Sequence, residues 1–220
     1  MRKDTDSLFI LLGGNLIPFF LLALTLGMAW VPLAPFARLG LVLFVLYLLP
    51  PLVYRFLPHR KAQGTFQMSD KPFATWWIGM QLQALYLRAP VLEEILRIIP
   101  FAYSAWLRLW GAKIGKRVYW SPRIIIMDRP FLQIDSEVIV GYGVAFTAHH
   151  LNRNGNQMAL VLATPIVEKS ALLGGESRVG PGARVGAAEM LPATMVLAPF
   201  YEWRGGRRHS ILKNQLEVSK

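Results

Sequence analysis

The chain has no cysteine, so disulfides, thiolate metal sites and a cysteine nucleophile are excluded, and nothing marks a redox compartment. Acid is scarce: 13 Asp and Glu stand against 24 Lys and Arg, a formal net charge of +11. The cations are scattered and no DNA- or RNA-binding signature accompanies them. The expected partners are therefore anionic membrane lipids, not nucleic acid. Histidine is rare as well, 4 in all, and the adjacent pair His149-His150 has no HExxH-type partner, so no metal is expected. The glycine-rich segments lack the lysine and the strand-to-helix setting of a phosphate loop.

Charge is wholly absent from Leu8 to Val31. A run of about two dozen residues is long enough to cross a ~30 Å hydrocarbon core. A second apolar run, Leu39 to Leu57, is broken only by Arg55, and Pro32 and Pro35 separate the two. Two transmembrane helices in a hairpin are expected; Pro18 and Pro50-Pro51 keep open a re-entrant pair that never crosses. Arg2, Lys3, Arg55, Arg60 and Lys61 flank the outer ends, while the turn holds only Arg38. The positive-inside tendency then puts both termini in the cytoplasm, as in an integral protein of a bacterial inner membrane.

Ser69-Asp70-Lys71-Pro72 predicts a helix start, with the helix running to about Arg88. After Pro90 and Pro100, VLEEILRII and FAYSAWLRLW read as two more short amphipathic helices, with Glu93, Glu94 and Arg97 on the polar side. Such helices either lie in the headgroup plane or cap the open end of the domain behind them.

From Ile114 onward the chain is a repeat. Its clearest part returns an aliphatic residue every sixth position, at Val167, Leu173, Val179, Val185, Leu191 and Leu197, trailed by Gly174, Gly180 and Gly186. The same step appears earlier at Ile114, Trp120 and Ile126, shifts by two in MDRPFLQ, and resumes at Ile134, Val140 and Phe146. A period of six fits neither a helical stripe nor simple strand alternation. It fits a coil that turns a corner every six residues, with glycine and proline easing the corners; the alternative is an ordinary run of short strands and turns. NRNGNQMALVLATP breaks the pattern, so a polar loop is expelled there, and His149 and His150 stand where it leaves. Asp128, Asp135 and Glu137 alternate with apolar residues and are expected on the solvent face; spacing does not choose which of them orients a histidine. The chain thus divides into a membrane anchor (1–61), amphipathic helices (62–110), a repeat domain (111–202) with an extruded loop at 151–165, and a basic tail (203–220).

GAKIGKRVYWSP, then IDSEVIVGYGVAFTAHHL, the extruded loop, and PIVEKSALLGGESRVGPGARVG resemble the hexapeptide-repeat acyltransferases, among them the galactoside/maltose, xenobiotic and capsule acetyltransferases. The resemblance covers about Gly111 to Gly205. It implies an all-β, left-handed parallel β-helix assembled as a homotrimer, with active sites between neighbouring prisms. The two-span anchor also resembles the tandem membrane modules of poly-lysine-synthetase-type enzymes, whose donor is a thioester on a carrier domain. In the sugar acetyltransferases the base closes a Thr-Ala-x-His segment. Thr147-Ala148-His149-His150 matches it, which puts His150 in the base position and His149 in the variable one. Either histidine suits the task, because an imidazole titrates near neutrality. The family's donor site, matched repeat to repeat, falls on Gly175, Ala193 and Ala198, with Arg204, Arg207 and Arg208 beyond the last coil able to meet a phosphate. No tightly bound cofactor is implied; acyl-CoA or a phosphopantetheinyl carrier protein would be the co-substrate. Gly175 and Ala198-Pro199 replace the Ser and Thr-Lys that the family often carries, which makes a carrier-protein donor more plausible. The functional expectation is a thioester-dependent acyltransferase acting on a hydroxyl or amine of a membrane-associated acceptor. The alternative is a catalytically silent trimeric membrane scaffold.

Overall fold

The computed structural model describes residues 13–154 and 157–211. Its body is a parallel β-solenoid of four coils, each contributing one short strand to each of three faces. The first face stacks β2 (Lys113–Ile114), β5 (Gln133–Ile134), β10 (Ile166–Val167), β13 (Arg184–Val185) and β16 (Tyr201–Arg204). The second stacks β3 (Tyr119–Trp120), β6 (Ile139–Val140), β11 (Leu172–Leu173) and β14 (Met190–Leu191). The third stacks β4 (Ile125–Ile126), β7 (Ala145–Phe146), β12 (Arg178–Val179) and β15 (Val196–Leu197). Register is strict: Ile134 pairs with Val167, Val167 with Val185, and Val185 with Trp203. The residues of the six-step are the inward ones, and Val140, Val167, Leu173, Val179, Val185, Leu191 and Leu197 are sealed from solvent.

The corners are built differently from the expectation. The glycines behind the inward residues serve closeness, since a Cβ on Gly174 would sit 2.3 Å from the Ala193 nitrogen. Left-handed backbone falls two residues later and is carried mostly by other residues, with φ of 66° at Glu137, 58° at Glu176, 56° at Ala188 and 59° at Thr194. Such a conformation costs about 1–2 kcal/mol in an ordinary residue. Here the N–H of each donates to the corner of the coil before it, Glu137 to Lys116 O and Ala188 to Lys169 O, both at 2.9 Å, and this holds the turn.

At the N-terminal end lie α1 (Ile17–Met28) and α2 (Pro35–Phe56). The start expected for a first span at Leu8 lies outside the described residues; within them α2 alone is long and apolar enough to cross a membrane, with a mean hydropathy of 2.1. It begins before Leu39 because Pro35 sits in the first turn, where a missing N–H costs nothing. Pro50 and Pro51 do not break it. A π-helical stretch, Phe44–Leu48, precedes them. The carbonyls they leave unpaired, Leu46 and Tyr47, accept the Tyr86 hydroxyl and the Trp106 Nε1–H.

Three helices form a collar: α3 (Lys71–Arg88), α4 (Val91–Ile98) and α5 (Ala102–Trp110). α5 seats Tyr103, Trp106, Leu107 and Trp110 in one core with Ile114 and Ile126, and so caps the first coil. α4 is inside-out relative to the expectation. Glu93 is 4% exposed, whereas Val91, Ile95 and Ile98 are 61%, 47% and 81% exposed, as is Phe101 at 81%. The reason is Arg129, fully buried beneath it, whose guanidinium pairs with Glu93. Glu93 also pairs with Arg97 at 2.8 Å and accepts the Tyr103 hydroxyl at 2.6 Å. Burial, with the Glu93 carboxylate beside it, pushes the Tyr103 hydroxyl up, so it remains a donor. A buried charge is tolerable only when paired this fully.

Two more expectations change. The extruded segment is a hairpin, β8 (His149–Asn154) and β9 (Gln157–Leu162), with β1 (Gly64–Gln67) on the free edge of β9. Its alternation buries Leu160 and Leu162 against Phe73, Trp76 and Phe131. The tail expected from residue 203 instead begins inside the solenoid: β16 lays Trp203 under Val185, turns at Gly205-Gly206, and returns as β17 (Arg207–Ser210). The rest of that tail, from 212, lies outside the described residues.

Candidate active site

The corner between the third and first faces is where the coil departs from its step. Its backbone is stacked like any other, Met127 N donating to Phe146 O at 3.0 Å and Thr147 N to Val179 O at 3.1 Å. Two irregularities meet there. The first coil carries the MDRPFLQ insertion, and the second coil releases the β8–β9 hairpin.

The insertion places Asp128 under the start of the hairpin. Asp128 is 2% exposed, contrary to the solvent-facing position expected of it. Its Oδ1 accepts the Trp76 indole N–H at 3.0 Å, and Oδ2 accepts the Ala148 backbone N–H at 2.9 Å. Oδ2 also lies 2.7 Å from His149 Nδ1. Each oxygen already accepts an N–H, so the group that faces His149 is an acceptor. The His149 proton is therefore at Nδ1, and the Nε2 lone pair is the free one. The imidazole is held on its other side by the Trp76 ring, 4.8 Å between centroids, and keeps 17% of its side-chain surface open. A buried acid, an imidazole held by it at Nδ1 and a partly open ring edge are the arrangement that a general base of fixed direction requires.

His150 is next in the strand, where side chains alternate between faces, and it points away from this arrangement. Its Nδ1 is buried with no hydrogen-bond partner among the described residues. The structure thus brings together His149, Asp128 and Trp76, and leaves His150 without an orienting partner. Asp135 is exposed and Glu137 is engaged by Arg117 and Ser170, so neither serves a histidine. Asp128 had a legible signal: an acid inside a two-residue insertion, one coil before the histidines and at the same corner. Trp76 had none, because helical spacing marks it only as one aromatic among several.

The expected donor residues divide between two edges. Ala198 stands on the edge of the histidines, two coils further along, below Gly180. Gly175 and Ala193 stack on the neighbouring edge between the second and third faces. Arg204 is occupied by Glu202 at 2.8 Å and Glu168 at 3.2 Å. Arg207 is exposed on β17. Among the described residues no group of three or more acids and histidines is placed to hold a metal.

No protein-family model matches the chain, and no curated protein matches it in sequence. Solved structures do superpose. A hexapeptide-repeat-containing acetyltransferase from Vibrio cholerae matches at 13% identity and a TM-score of 0.36, over 59% of this chain and 92% of that one. The acetyl-CoA complex from Vibrio cholerae O1 biovar eltor scores 0.34 at 13% identity, over 59% of this chain and 86% of that one. A galactoside acetyltransferase with coenzyme A scores 0.31 at 12% identity, over 60% and 85%. Scores of this size transfer nothing to this chain, and its solenoid stands on its own strand pairings.

Proposed function

We propose that this chain is a membrane-anchored acyltransferase in which His149, oriented by Asp128, is the general base. It takes the proton from an acceptor hydroxyl or amine as that group attacks an acyl thioester of coenzyme A or of a carrier protein. The observation that carries the reading is the Asp128–His149 contact at the one corner where the solenoid is interrupted. The resemblance of Thr147-Ala148-His149-His150 to the sugar acetyltransferases supports the reaction class and assigns the base to His150; the hydrogen bonding favours His149. Membrane attachment is supported by α2 and by the apolar outer side of α4, which sits with its charges inward as a lipid-facing helix does. A homotrimer is supported by the outward row of the second face, which is apolar and exposed at Tyr119, Ile139 and Met190; on the third face Arg178 stands outward between Ala145 and Val196. The first face turns Lys113, Gln133, Ile166, Arg184 and Glu202 outward, a mostly polar row.

The test is the pair of single variants, with transfer from radiolabelled acetyl-CoA into host membrane lipids and glycans as the readout. His149→Ala lowers the rate by about 10²–10⁴ and His150→Ala by far less. A wild-type rate in His149→Ala ends the proposal, and the reverse order of effects returns the base to His150. The scaffold reading has one observation in its favour, the occupation of Arg204 by two carboxylates. It is adopted if the double variant His149→Ala, His150→Ala also complements a deletion strain.

A further inference from the structure

A cavity of about 630 Å³ opens between the end of α2, the end of α5 and the first face of the solenoid. Its apolar floor includes Tyr54, Trp110 and Phe131. Its charged lining is one-signed: Arg55, Arg60, Lys61, Arg108 and Lys113, with no carboxylate among the described residues that line it. Two of these cations are structural. Arg55 donates to Leu109 O at 2.8 Å and Arg108 O at 3.0 Å, and Arg108 donates to Ile114 O at 2.9 Å and to Gly115 O at 2.6 Å. They tie the helix ends to the first coil and fix the walls. The side chains of Arg60, Lys61 and Lys113 make no hydrogen bond or ion pair among the described residues. Three uncommitted cations facing one cavity repel each other, and an anion relieves that.

We propose that this cavity binds the phosphate of an anionic membrane lipid, with Arg60, Lys61 and Lys113 as its counter-ions. The chemistry is that of a phosphate dianion: several point charges and a guanidinium fork around it, over a floor that accepts apolar atoms. The lipid source follows from place. Tyr54 and Arg55 belong to the last turn of α2, and Phe56, which ends that helix, is 87% exposed beside them. A cation cluster directly at the end of a span is where a headgroup lies. Phe131 connects the cavity to the catalytic corner: it lines the cavity and belongs to the same apolar cluster as Trp76 and Ala148. A lipid held here sits one side chain away from the shell of His149. The inference rests on the membrane-anchored part of the function above and is independent of the acyl chemistry.

The test uses the full chain in a non-ionic detergent, titrated with dioctanoyl phosphatidic acid, dioctanoyl phosphatidylcholine and inorganic phosphate, with native mass spectrometry counting bound molecules. Phosphatidic acid is expected to be retained, phosphatidylcholine not, and millimolar inorganic phosphate is expected not to displace the former. The triple variant Arg60→Gln, Lys61→Gln, Lys113→Gln loses about a hundredfold in affinity, three surface cations' worth. A control replacing Arg178, Arg207 and Arg208 by Gln binds as the wild type does. Equal retention of the two lipids by the wild-type protein overturns the proposal without any variant, and so does undiminished binding in the triple variant. Displacement of the lipid by inorganic phosphate overturns the lipid source and assigns the cavity to a soluble phosphate. Carbonate extraction of host membranes reports the anchor separately: release of the chain defeats the anchored reading, whereas retention without phosphatidic acid binding defeats this inference alone.

Discussion

The solenoid has two halves that obey different rules. From Val167 onward each inward residue stands three steps of six from its partner in the next coil, and the interior holds small corner residues, Ala171, Ser177 and Ala183, all fully buried. Before Val167 the step fails twice, and the first failure brings polar side chains inside. The first inserts Asp128 and Arg129, at 2% and 0% exposure, and the second lifts out the hairpin that begins with His149. A repeat satisfies its backbone from coil to coil and has no interior room for a charge. An interruption makes that room, and here it is filled from outside the solenoid, by Trp76 of α3 on Asp128 and by Glu93 of α4 on Arg129. The adjacent pair Asp128-Arg129 therefore joins the collar to the corner that carries His149.

Substitutions in the irregular half should separate chemistry from stability. Asp128→Asn keeps the shape but sets an amide N–H against one of the buried donors that Asp128 accepts, so turnover is expected to fall by about 10³–10⁴ while stability in detergent falls by only about 1–3 kcal/mol. A loss of folding in step with activity would make Asp128 structural only. Arg129→Met removes one partner of a buried pair; about 3 kcal/mol of stability should go, measured by chemical denaturation in detergent. Glu93 keeps Arg97 in that variant, so the chain still folds.

In the regular half the expectation is the opposite. Gly174→Ala drives a Cβ against the Ala193 backbone at 2.3 Å and should cost about 1–3 kcal/mol, with activity per folded molecule unchanged. Reduced activity in well-folded Gly174→Ala would show that the regular coils shape the site. The mildest change is Arg204→Gln, which removes an exposed residue paired with Glu168 and Glu202. It should leave the melting temperature and the KM for acetyl-CoA where they are. A raised KM would restore Arg204 to the donor site.

Most of the architecture was legible because a period of six leaves few alternatives: one inward aliphatic per face, a small or glycine residue at the corner, and in-register stacking all derive from it. The corner backbone was read less well. Glycine and proline were expected to ease the corners, yet Glu137, Glu176 and Thr194 adopt the left-handed turns there, because the N–H of each is captured by the coil beside it. The hairpin was hidden by its polar tip, although Met158 to Leu162 is a continuous apolar run that a solvated loop would not carry. α4 was misread because its charges were assigned to water by default. Only the presence of Arg129 below explains why they turn inward.

Local residue pattern decided the coil, its step, the corner at which it breaks and the pair of histidines that stand there, since each is set by neighbours in the chain. Which histidine is oriented, and by what, was decided in three dimensions. Asp128 lies one irregular coil away from His149 and Trp76 lies in a different helix, so their convergence depends on how the coil and collar pack. The same holds for the cationic cavity, whose walls come from α2, α5 and the first face, three segments far apart in the sequence. Periodicity records what a residue does for its own coil; it carries no record of the partner that another element brings to it.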